Sequence, residues 1–375
     1  MKKKLVAATV CVAVLVCCVV ALAACNDDPV TPSQFLYDNS SVATDKTQIV
    51  FLGDSIAEGI LGASPLGLRH EYAYPNLIGR SNDYLYYNHS VSGHLTKDLL
   101  SVVNNQIGYD GARMLISHVM TADVIHISII GNDVLQDRND FDPAITMHNI
   151  VVEAASDNYT SIDRALNGEG NIKGAISNIR AIVDRLRELN PDAVIVFQKV
   201  YNPIMAVDTP LIKADTRAAL KEILGHDVTL EELHALGDKL IGRLNSAFDT
   251  VLAQYEAEGI ENAFYTVDAR EAFNAIYNSE PERAERLIYP DGIHPSNEGH
   301  AVLAGLTQKF LQDKGLANAD KALAEYKTMR KNVITTYFSS SVDADTVCAE
   351  IDKATTYDGV TEVFFDATAG KLPEY

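Results

Sequence analysis

Cysteine is scarce in this sequence and tryptophan is absent: 375 residues include five cysteines and no tryptophan. Cys11, Cys17 and Cys18 lie in an apolar N-terminal segment that Cys25 ends, which leaves Cys348 as the single cysteine of the remaining chain. One thiol cannot close an internal disulfide. We therefore expect the fold to be held by ordinary packing, for which 47% hydrophobic residues supply a sizeable core.

Basic residues are also few. The chain has 31 lysines and arginines against 51 aspartates and glutamates, a formal net charge of −20. Nucleic-acid binding needs clustered basic side chains, so this balance argues against a nucleic-acid partner. The same charge weakly repels anionic polymers and lipid surfaces. A neutral substrate is favoured.

Residues 1–24 are typical of an export signal, because three lysines precede a long uncharged apolar stretch. The segment LAAC at residues 22–25 resembles the bacterial lipoprotein signature, which implies that Cys25 is lipidated and begins the mature protein. An uncleaved anchor is the alternative, since about 20 apolar residues can span a bilayer. Both interpretations predict an exported, membrane-attached protein that faces away from the cytoplasm. The polar residues 25–46 are predicted to form a flexible tether.

From residue 47 onward, strand patterns alternate with amphipathic helical patterns. The alternation predicts an α/β fold in which right-handed βαβ units build a parallel sheet. The strand candidates are Ile49–Leu52, Tyr84–Val91, Asp123–Asp133, Ala193–Pro203 and Ala263–Glu271. Long helices are predicted around 173–189, 229–258 and 296–312.

Two connections, 134–172 and 204–230, are longer than compact crossovers require. Such connections either shape a substrate pocket or form ordinary surface structure, and the sequence pattern fits both interpretations. Residues 316–375 are predicted to form a helical or mixed extension, to which no role is assigned.

A buried-strand pattern runs directly into a small polar corner in the segment IVFLGDSIAEG at residues 49–59. Four hydrophobic residues in a row indicate a strand covered on both faces, as in parallel sheets. Ligands bind at the carboxyl ends of such strands, so Ser55 lies where a nucleophile is useful. The alternative is a simple helix N-cap, because Asp and Ser both favour that position.

A base for Ser55 is available in the segment YPDGIHPSNEGH at residues 289–300. A serine hydroxyl is a weak nucleophile until an oriented base accepts its proton. Asp291 precedes His294 by three residues, so one turn can bring the carboxylate to ring Nδ1 and leave Nε2 for Ser55.

Donors for an oxyanion follow two other strand candidates. Gly93 comes after the second, where its backbone N–H is unobstructed by a side chain, and Asn132 comes after the third with a side-chain amide. The N–H of Ser55 is a third donor. Because all three groups follow parallel strands, one edge of the sheet can gather them.

These blocks, with Gly53–Ser55 first and Asp291–His294 last, resemble the SGNH (GDSL-type) esterase and lipase family over residues 48–312. The resemblance implies a flavodoxin-like three-layer α/β/α fold with a five-stranded parallel sheet in the order 2-1-3-4-5. We accordingly assign residues 47–315 to a hydrolase domain. No metal and no organic cofactor is expected.

The resemblance also implies a role for each block. Ser55 is the nucleophile, His294 the base and Asp291 its partner. The N–H groups of Ser55 and Gly93 and the side chain of Asn132 form the oxyanion hole.

Four other histidines receive structural interpretations. His126 lies inside an apolar strand and is expected to be a core residue with its hydrogen bonds satisfied. His89 and His94 flank Gly93 and are expected at the surface or as supporting residues. His300 is expected to face outward from its helix.

The sequence therefore predicts a membrane-tethered extracytoplasmic serine esterase that hydrolyses carboxylic esters through an acyl-enzyme. Its acidic charge and its 7% aromatic content favour short acyl groups, such as O-acetyl groups on a carbohydrate. The expected partner is then a small-molecule or polysaccharide ester. Two alternatives stay open: a lipase or lysophospholipase of the same family, and a non-catalytic lipoprotein that binds glycans or lipids.

Overall fold

The computed structural model describes residues 46–60, 72–106, 112–135, 145–170 and 172–373. The predicted export signal, most of the predicted tether and the lipidation site at Cys25 lie outside these residues. Among the residues described, no helix is both long enough and apolar enough to cross a membrane.

Five parallel strands form the central sheet of the described chain. They are β1 (Gln48–Gly53), β2 (Leu85–Asn88), β3 (Val124–Ser128), β6 (Val194–Lys199) and β7 (Tyr265–Asp268). Two short strands, β4 (Gly168–Glu169) and β5 (Ile172–Lys173), pair separately as an antiparallel hairpin.

The strand order is β2-β1-β3-β6-β7. Because the hairpin lies outside this sheet, the five sheet strands taken alone follow the predicted order 2-1-3-4-5. The predicted strands are all present, but the carboxyl ends of the last four were predicted too late: the strand predicted to reach Val91, for example, stops at Asn88. The residues beyond each strand form the loops that carry the site.

Sixteen helices lie within the described residues. They are α1 (Ser55–Glu58), α2 (Tyr74–Asn82), α3 (Thr96–Val103), α4 (Ala112–Val119), α5 (Asn132–Leu135), α6 (Met147–Ala155), α7 (Thr160–Asn167), α8 (Ala175–Leu189), α9 (Ala214–Leu224), α10 (Leu230–Ala257), α11 (Ala269–Ser279), α12 (Pro281–Leu287), α13 (Asn297–Asp313), α14 (Ala319–Tyr337), α15 (Ala344–Lys353) and α16 (Tyr357–Thr368).

The two faces of the sheet carry separate hydrophobic clusters, because side chains alternate along each strand. In β1, Val50 and Leu52 pack with α3, α4, α6, α7, α8 and α10, whereas Ile49 and Phe51 pack with α2, α11, α12 and α13. All four β1 side chains are fully buried, as expected for a strand covered on both faces. The result is a three-layer α/β/α fold.

The C-terminal residues extend the second helical layer. Helix α13 ends at Asp313, and α14 begins at Ala319. Helix α14 packs on α2, and α16 packs on α13. Buried side chains of α14, α15 and α16 belong to the same cluster as those of the sheet face beneath them.

Candidate active site

The corner that carries Ser55 depends on two neighbouring residues. Gly53 has φ +133°, and a Cβ there would lie 1.8 Å from the carbonyl oxygen of Ser128, so glycine is required. Asp54 caps α1, with its side chain accepting a hydrogen bond from Ile56 N at 3.0 Å. The capping role that the sequence also allowed for Ser55 falls to Asp54. The hydroxyl of Ser55 is thus not used as the helix cap.

A tight turn presents His294. Gly292 adopts φ +78°, and Tyr289 N donates to the carbonyl oxygen of His294 at 2.8 Å. Asp291 Oδ1 accepts hydrogen bonds from the backbone N–H groups of Ile293 and His294, each at 3.0 Å. Asp291 Oδ2 lies 2.6 Å from His294 Nδ1. The carboxylate therefore fixes both the turn and the ring.

The charge of Asp291 suits this position. Partial burial acts to raise the pKa of Asp291. Hydrogen bonds from the N–H of Ile293 and from the ring of His294 outweigh this effect and hold the pKa below its ordinary value. An ionised carboxylate at Nδ1 keeps the proton on that nitrogen and leaves Nε2 as the acceptor.

The structure brings the three predicted side chains together. His294 Nε2 lies 2.8 Å from Ser55 Oγ, although 239 positions separate the two residues in the chain. The hydroxyl, the imidazole and the carboxylate of Asp291 form a continuous hydrogen-bonded series. This arrangement can transfer the hydroxyl proton to the ring.

Gly93 and Asn132 line the same cavity as Ser55. Gly93 has φ +80°, which favours glycine at this position. Asn132 begins α5, and its side-chain nitrogen donates to the carbonyl oxygen of His94 at 3.1 Å. An amide nitrogen carries two hydrogens, so this bond orients the group and leaves a second hydrogen for a ligand.

Asp133 joins the two loops that carry these donors. Its carboxylate accepts hydrogen bonds from Thr96 N at 3.0 Å and from Thr96 Oγ1 at 2.7 Å. Thr96 follows the Gly93 loop, and Asp133 follows Asn132. The bonds therefore hold the two candidate oxyanion donors on one side of the cavity.

Two buried carboxyl groups lie behind the site. Burial raises the pKa of Asp54 to about 7, against the opposing hydrogen bond from Ile56 N, and the nearby Asp133 adds to the rise. Burial likewise raises the pKa of Asp133 to about 6, although Thr96 donates two hydrogen bonds to it. Two acidic groups this close resist simultaneous ionisation.

The cavity beside Ser55 has a volume of about 350 Å³, within the range of small-molecule sites. The two long connections supply part of its wall, together with α10. Most of the lining is aliphatic: Met147, Ile150, Val151, Ile162, Ile204, Leu211, Ile212, Leu240 and Leu244. Of the two interpretations of these connections, the structure favours the substrate pocket.

Tyr201 is a site residue that sequence reasoning did not identify. It follows β6, is buried, and its hydroxyl donates to the carbonyl oxygen of Ile293 at 2.6 Å. Its ring stacks on Phe273 with the centroids 4.6 Å apart. Asn245 of α10 fixes the preceding residue by two hydrogen bonds to the backbone of Val200, each at 2.8 Å. In the sequence, Tyr201 falls within the fourth predicted strand, and nothing in that pattern marks it as a site residue.

The interpretations of the other histidines fare unequally. His126 is a fully buried core residue between Tyr74 (3.4 Å) and Thr307 (3.2 Å), as expected. His94 is also buried, so the surface interpretation fails for it, whereas His89 is half-buried.

The expectation that His300 faces outward is wrong. The residue is fully buried, and its Nε2 donates to the carbonyl oxygen of Ile60 at 3.1 Å. Its ring stacks on Tyr74 of α2 with the centroids 6.2 Å apart, so this side of α13 faces the interior and not solvent.

Within the described ranges, no group of three or more His, Cys, Asp or Glu side chains is placed to hold a metal ion. The chemistry available at the site is that of the serine, the imidazole, the carboxylate and the amide donors.

A five-stranded parallel sheet with Ser55, Asn132 and His294 gathered beyond its carboxyl edge defines the SGNH hydrolase fold. The chain belongs to the GDSL-like lipase/acylhydrolase family, whose model matches residues 51–302. No curated protein matches the chain at a significant level.

Solved structures are similar to the chain at low sequence identity. The chain is similar to the lipase Lip_vut3 from a goat rumen metagenome, with 20% identity, 72% of this chain and 99% of that chain covered, and a TM-score of 0.41. Phospholipase A1 from Streptomyces albidoflavus is 17% identical, with 70% and 99% coverage and a TM-score of 0.42. A family 3 carbohydrate esterase from Clostridium thermocellum is 16% identical, with 72% and 99% coverage and a TM-score of 0.41.

Proposed function

We propose that this protein is a serine ester hydrolase that forms an acyl-enzyme on Ser55 and accepts acyl groups longer than acetyl. The observation that carries the proposal is the 2.8 Å contact between His294 Nε2 and Ser55 Oγ, with Asp291 on the other ring nitrogen. Family membership supports ester hydrolysis as the reaction class.

In the proposed reaction, Ser55 Oγ attacks the ester carbonyl carbon while His294 Nε2 accepts the hydroxyl proton. Asp291 stabilises the positive ring that forms. The tetrahedral oxyanion accepts hydrogen bonds from the side chain of Asn132 and from the N–H groups of Gly93 and Ser55. The carbon–oxygen bond of the alcohol then breaks, and His294 donates its proton to that oxygen. Water clears the acyl group by the same steps, with His294 again as base.

The lining of the cavity supports the preference for longer acyl groups. An acetyl group buries a single methyl, whereas the aliphatic walls of α6, α7 and α10 offer apolar contact to several further methylenes. Each buried methylene contributes about 0.8 kcal/mol, a free energy that short acyl groups forgo. The cavity thus favours the lipase-type alternative over the short-chain interpretation of composition.

Replacing Ser55 by alanine tests the assignment of the nucleophile. We expect kcat for p-nitrophenyl hexanoate to fall by about 10⁴-fold or more, because no other hydroxyl accepts the acyl group. Thermal unfolding and circular dichroism should match those of the wild type. Turnover within tenfold of the wild type would show that Ser55 is not the nucleophile.

We also propose that the protein is exported and lipid-anchored at Cys25. The proposal is supported by the apolar leader and by the LAAC segment at residues 22–25. Cys25→Ser should move the protein from the membrane fraction to a soluble fraction or block its maturation. A wild-type protein that keeps residues 1–24 in the membrane fraction, unchanged by Cys25→Ser, would support the uncleaved anchor instead.

A further inference from the structure

Glu58, the last residue of α1, is hydrogen-bonded to the loop that carries Gly93. Its Oε2 atom accepts hydrogen bonds from Ser92 N at 2.6 Å and from Ser92 Oγ at 2.5 Å. Of the described residues, Ser92 and Gly93 line the cavity and Glu58 does not. Glu58 therefore acts on the site through Ser92. Its two hydrogen bonds connect the helix that begins at Ser55 to the loop of a candidate oxyanion donor.

Residues 91–94 form a turn in which the direction of one peptide group matters. His94 N donates to the carbonyl oxygen of Val91 at 3.2 Å. Gly93, the third residue of the turn, has φ +80°, whereas the φ of Ser92 is not positive. This combination defines a type II turn, which differs from a type I turn mainly by a flip of the central peptide. That peptide carries the N–H of Gly93, so the turn type sets the direction in which this candidate oxyanion donor points.

Hydrogen bonds hold the first half of this turn. Val91 and Ser92 are both exposed, so packing restrains them little. Val91 N donates to the carbonyl oxygen of Gly53 at 2.9 Å, and Ser92 is held by Glu58. Glu58 N in turn donates to the carbonyl oxygen of Asp54 at 2.8 Å. The carboxylate therefore projects from a helical turn whose backbone is fixed at the candidate nucleophile.

We propose that Glu58 is a positioning residue of the oxyanion hole, which holds the Gly93 turn at a fixed place relative to the N–H of Ser55. This inference rests on the ester hydrolase function proposed above and adds a residue to its machinery. The oxyanion forms only during the reaction, so donors fixed in advance stabilise the transition state more than the bound ester. Loss of the Glu58 carboxylate therefore slows the chemical step and leaves the aliphatic walls that bind the acyl chain in place.

Two substitutions at Glu58 test the inference with p-nitrophenyl hexanoate as substrate. Glu58→Ala removes both hydrogen bonds, and we expect kcat to fall about 10- to 100-fold, less than the roughly 10²- to 10³-fold cost of removing an oxyanion donor. Glu58→Gln keeps an acceptor oxygen without the charge. It should lower kcat about 3- to 10-fold, because charge-assisted hydrogen bonds are roughly twice as strong as neutral ones. KM should stay within about twofold of the wild type in both variants.

Two further measurements separate positioning from a general loss of structure. Active serines are counted by titration with a p-nitrophenyl phosphonate, so that kcat is expressed per active site. Hexylboronic acid provides the second readout: Ser55 Oγ bonds to boron, His294 accepts the hydroxyl proton, and the tetrahedral adduct places an oxygen in the oxyanion hole. The Ki of this adduct should rise by about the same factor by which kcat falls.

Glu232→Ala and Glu232→Gln are the matched controls. Glu232 Oε2 accepts the same pair of hydrogen bonds, from Thr229 N at 2.9 Å and from Thr229 Oγ1 at 3.0 Å. These residues lie at the start of α10, and neither lines the cavity. Both control variants should keep the wild-type kcat and Ki.

A Glu58→Gln variant whose kcat stays within about twofold of the wild type overturns the inference, and this result suffices if Glu58→Ala fails to fold. A loss carried by KM, or a loss in kcat without a rise in Ki, also overturns it. A wild type that does not hydrolyse p-nitrophenyl hexanoate contradicts the proposed function itself, which is a distinct result.

Discussion

Asp54 and Ser55, adjacent at the end of β1, take two different roles, although either residue could cap α1. Asp54 accepts the hydrogen bond from Ile56 N and caps α1, which leaves the hydroxyl of Ser55 for His294. The sequence alone left both readings of Ser55 open, because Asp and Ser are equally suited to capping. Only the fold, which brings in a histidine from 239 positions away, separates the two roles.

The buried carboxyl of Asp54 makes a prediction about stability and pH. Its pKa rises from 3.8 to about 7 on burial, so the folded chain holds a proton that the unfolded chain releases. The stabilising contribution is thus present below about pH 4 and is lost as the pH rises through 7.

Asp54→Asn should remove this pH dependence, because asparagine caps helices well and does not ionise. Between pH 4 and pH 8, the free energy of unfolding of the wild type should fall relative to the variant by on the order of 3 kcal/mol. Urea unfolding at several pH values measures the difference. A gap between the two proteins that stays constant with pH would contradict the burial of this carboxyl.

The histidines show what a local pattern can and cannot reveal. His126 sits in a run of apolar strand residues, and that setting correctly predicted a core position. His300 lies on a helix with polar neighbours, which suggested a solvent-facing side. That side is instead buried against Ile60, 240 positions earlier in the chain, and against the ring of Tyr74.

Among the secondary-structure elements, the loops that follow the parallel strands hold one another in place by hydrogen bonds. Asn245 of α10 holds the loop after β6, and Tyr201 of that loop holds the turn before His294. Tyr201 is a positioning residue, because its hydroxyl reaches the backbone of Ile293 and not the hydroxyl of Ser55.

Tyr201→Phe should therefore weaken catalysis through geometry. We expect kcat for p-nitrophenyl hexanoate to fall about 5- to 20-fold with little change in KM, because the ring still fills its place in the cavity while His294 loses one restraint. The free energy of unfolding should fall by only about 1 kcal/mol. Unchanged kcat, or a loss carried entirely by KM, would show that Tyr201 does not position the turn.

The cavity wall formed by α6 predicts the acyl-length profile. Along a series of p-nitrophenyl esters from acetate to octanoate, kcat/KM should rise about fourfold per methylene until the cavity is full, since each buried methylene is worth about 0.8 kcal/mol. Val151→Phe replaces a small aliphatic side chain of the cavity wall by a larger aromatic one and should move the optimum to shorter esters.

Val152→Phe is the matched control for this series. Val152 is the next residue of the same helix but does not line the cavity, so its substitution should leave the profile unchanged. A wild-type profile with acetate as the best substrate would restore the short-chain interpretation. That interpretation was based on the acidic charge and the low aromatic content of the whole chain. Composition does not show which aliphatic residues of the two long connections line a cavity and which fill the core.

On the scale of the whole molecule, a charged cluster connects the C-terminal helices to the helix that follows His294. Glu298 of α13 accepts hydrogen bonds from Arg283 at 3.0 Å and from Arg286 at 2.9 Å. The same two arginines reach Asp358 and Asp366 of α16. The side chains of Arg283 and Glu298 are only 5% and 3% exposed, so this pair lies in a low-dielectric interior.

Glu298→Gln should destabilise the protein strongly, because it leaves the buried guanidinium of Arg283 without its buried counter-charge. We expect the free energy of unfolding to fall by about 3 kcal/mol, in the range for breaking a buried pair from one side. Asp366→Asn removes an exposed partner of Arg286 and should cost less than about 1 kcal/mol. Equal losses in the two variants would contradict a buried cluster.

The sequence predicted the sheet and its strand order and named every residue of the hydrogen-bonded series at Ser55. The site residues follow from short motifs at strand ends and the parallel sheet from the alternation of strands and helices, whereas the strand order was implied by the resemblance to the SGNH family. Tyr201 and the docking of α14 to α16 were not predicted, because each depends on which distant side chains the fold brings together.

The assignment of Ser55 as the nucleophile is tested most directly by covalent labelling with a p-nitrophenyl phosphonate ester, a reagent that traps activated serines. We expect one label per chain, located on Ser55 by peptide mass analysis, with p-nitrophenol release and loss of esterase activity in proportion. His294→Gln, which lacks the base at Nε2, should label at least 100-fold more slowly. A chain that hydrolyses esters while its label falls on another residue, or that stays unlabelled and active, would contradict the account.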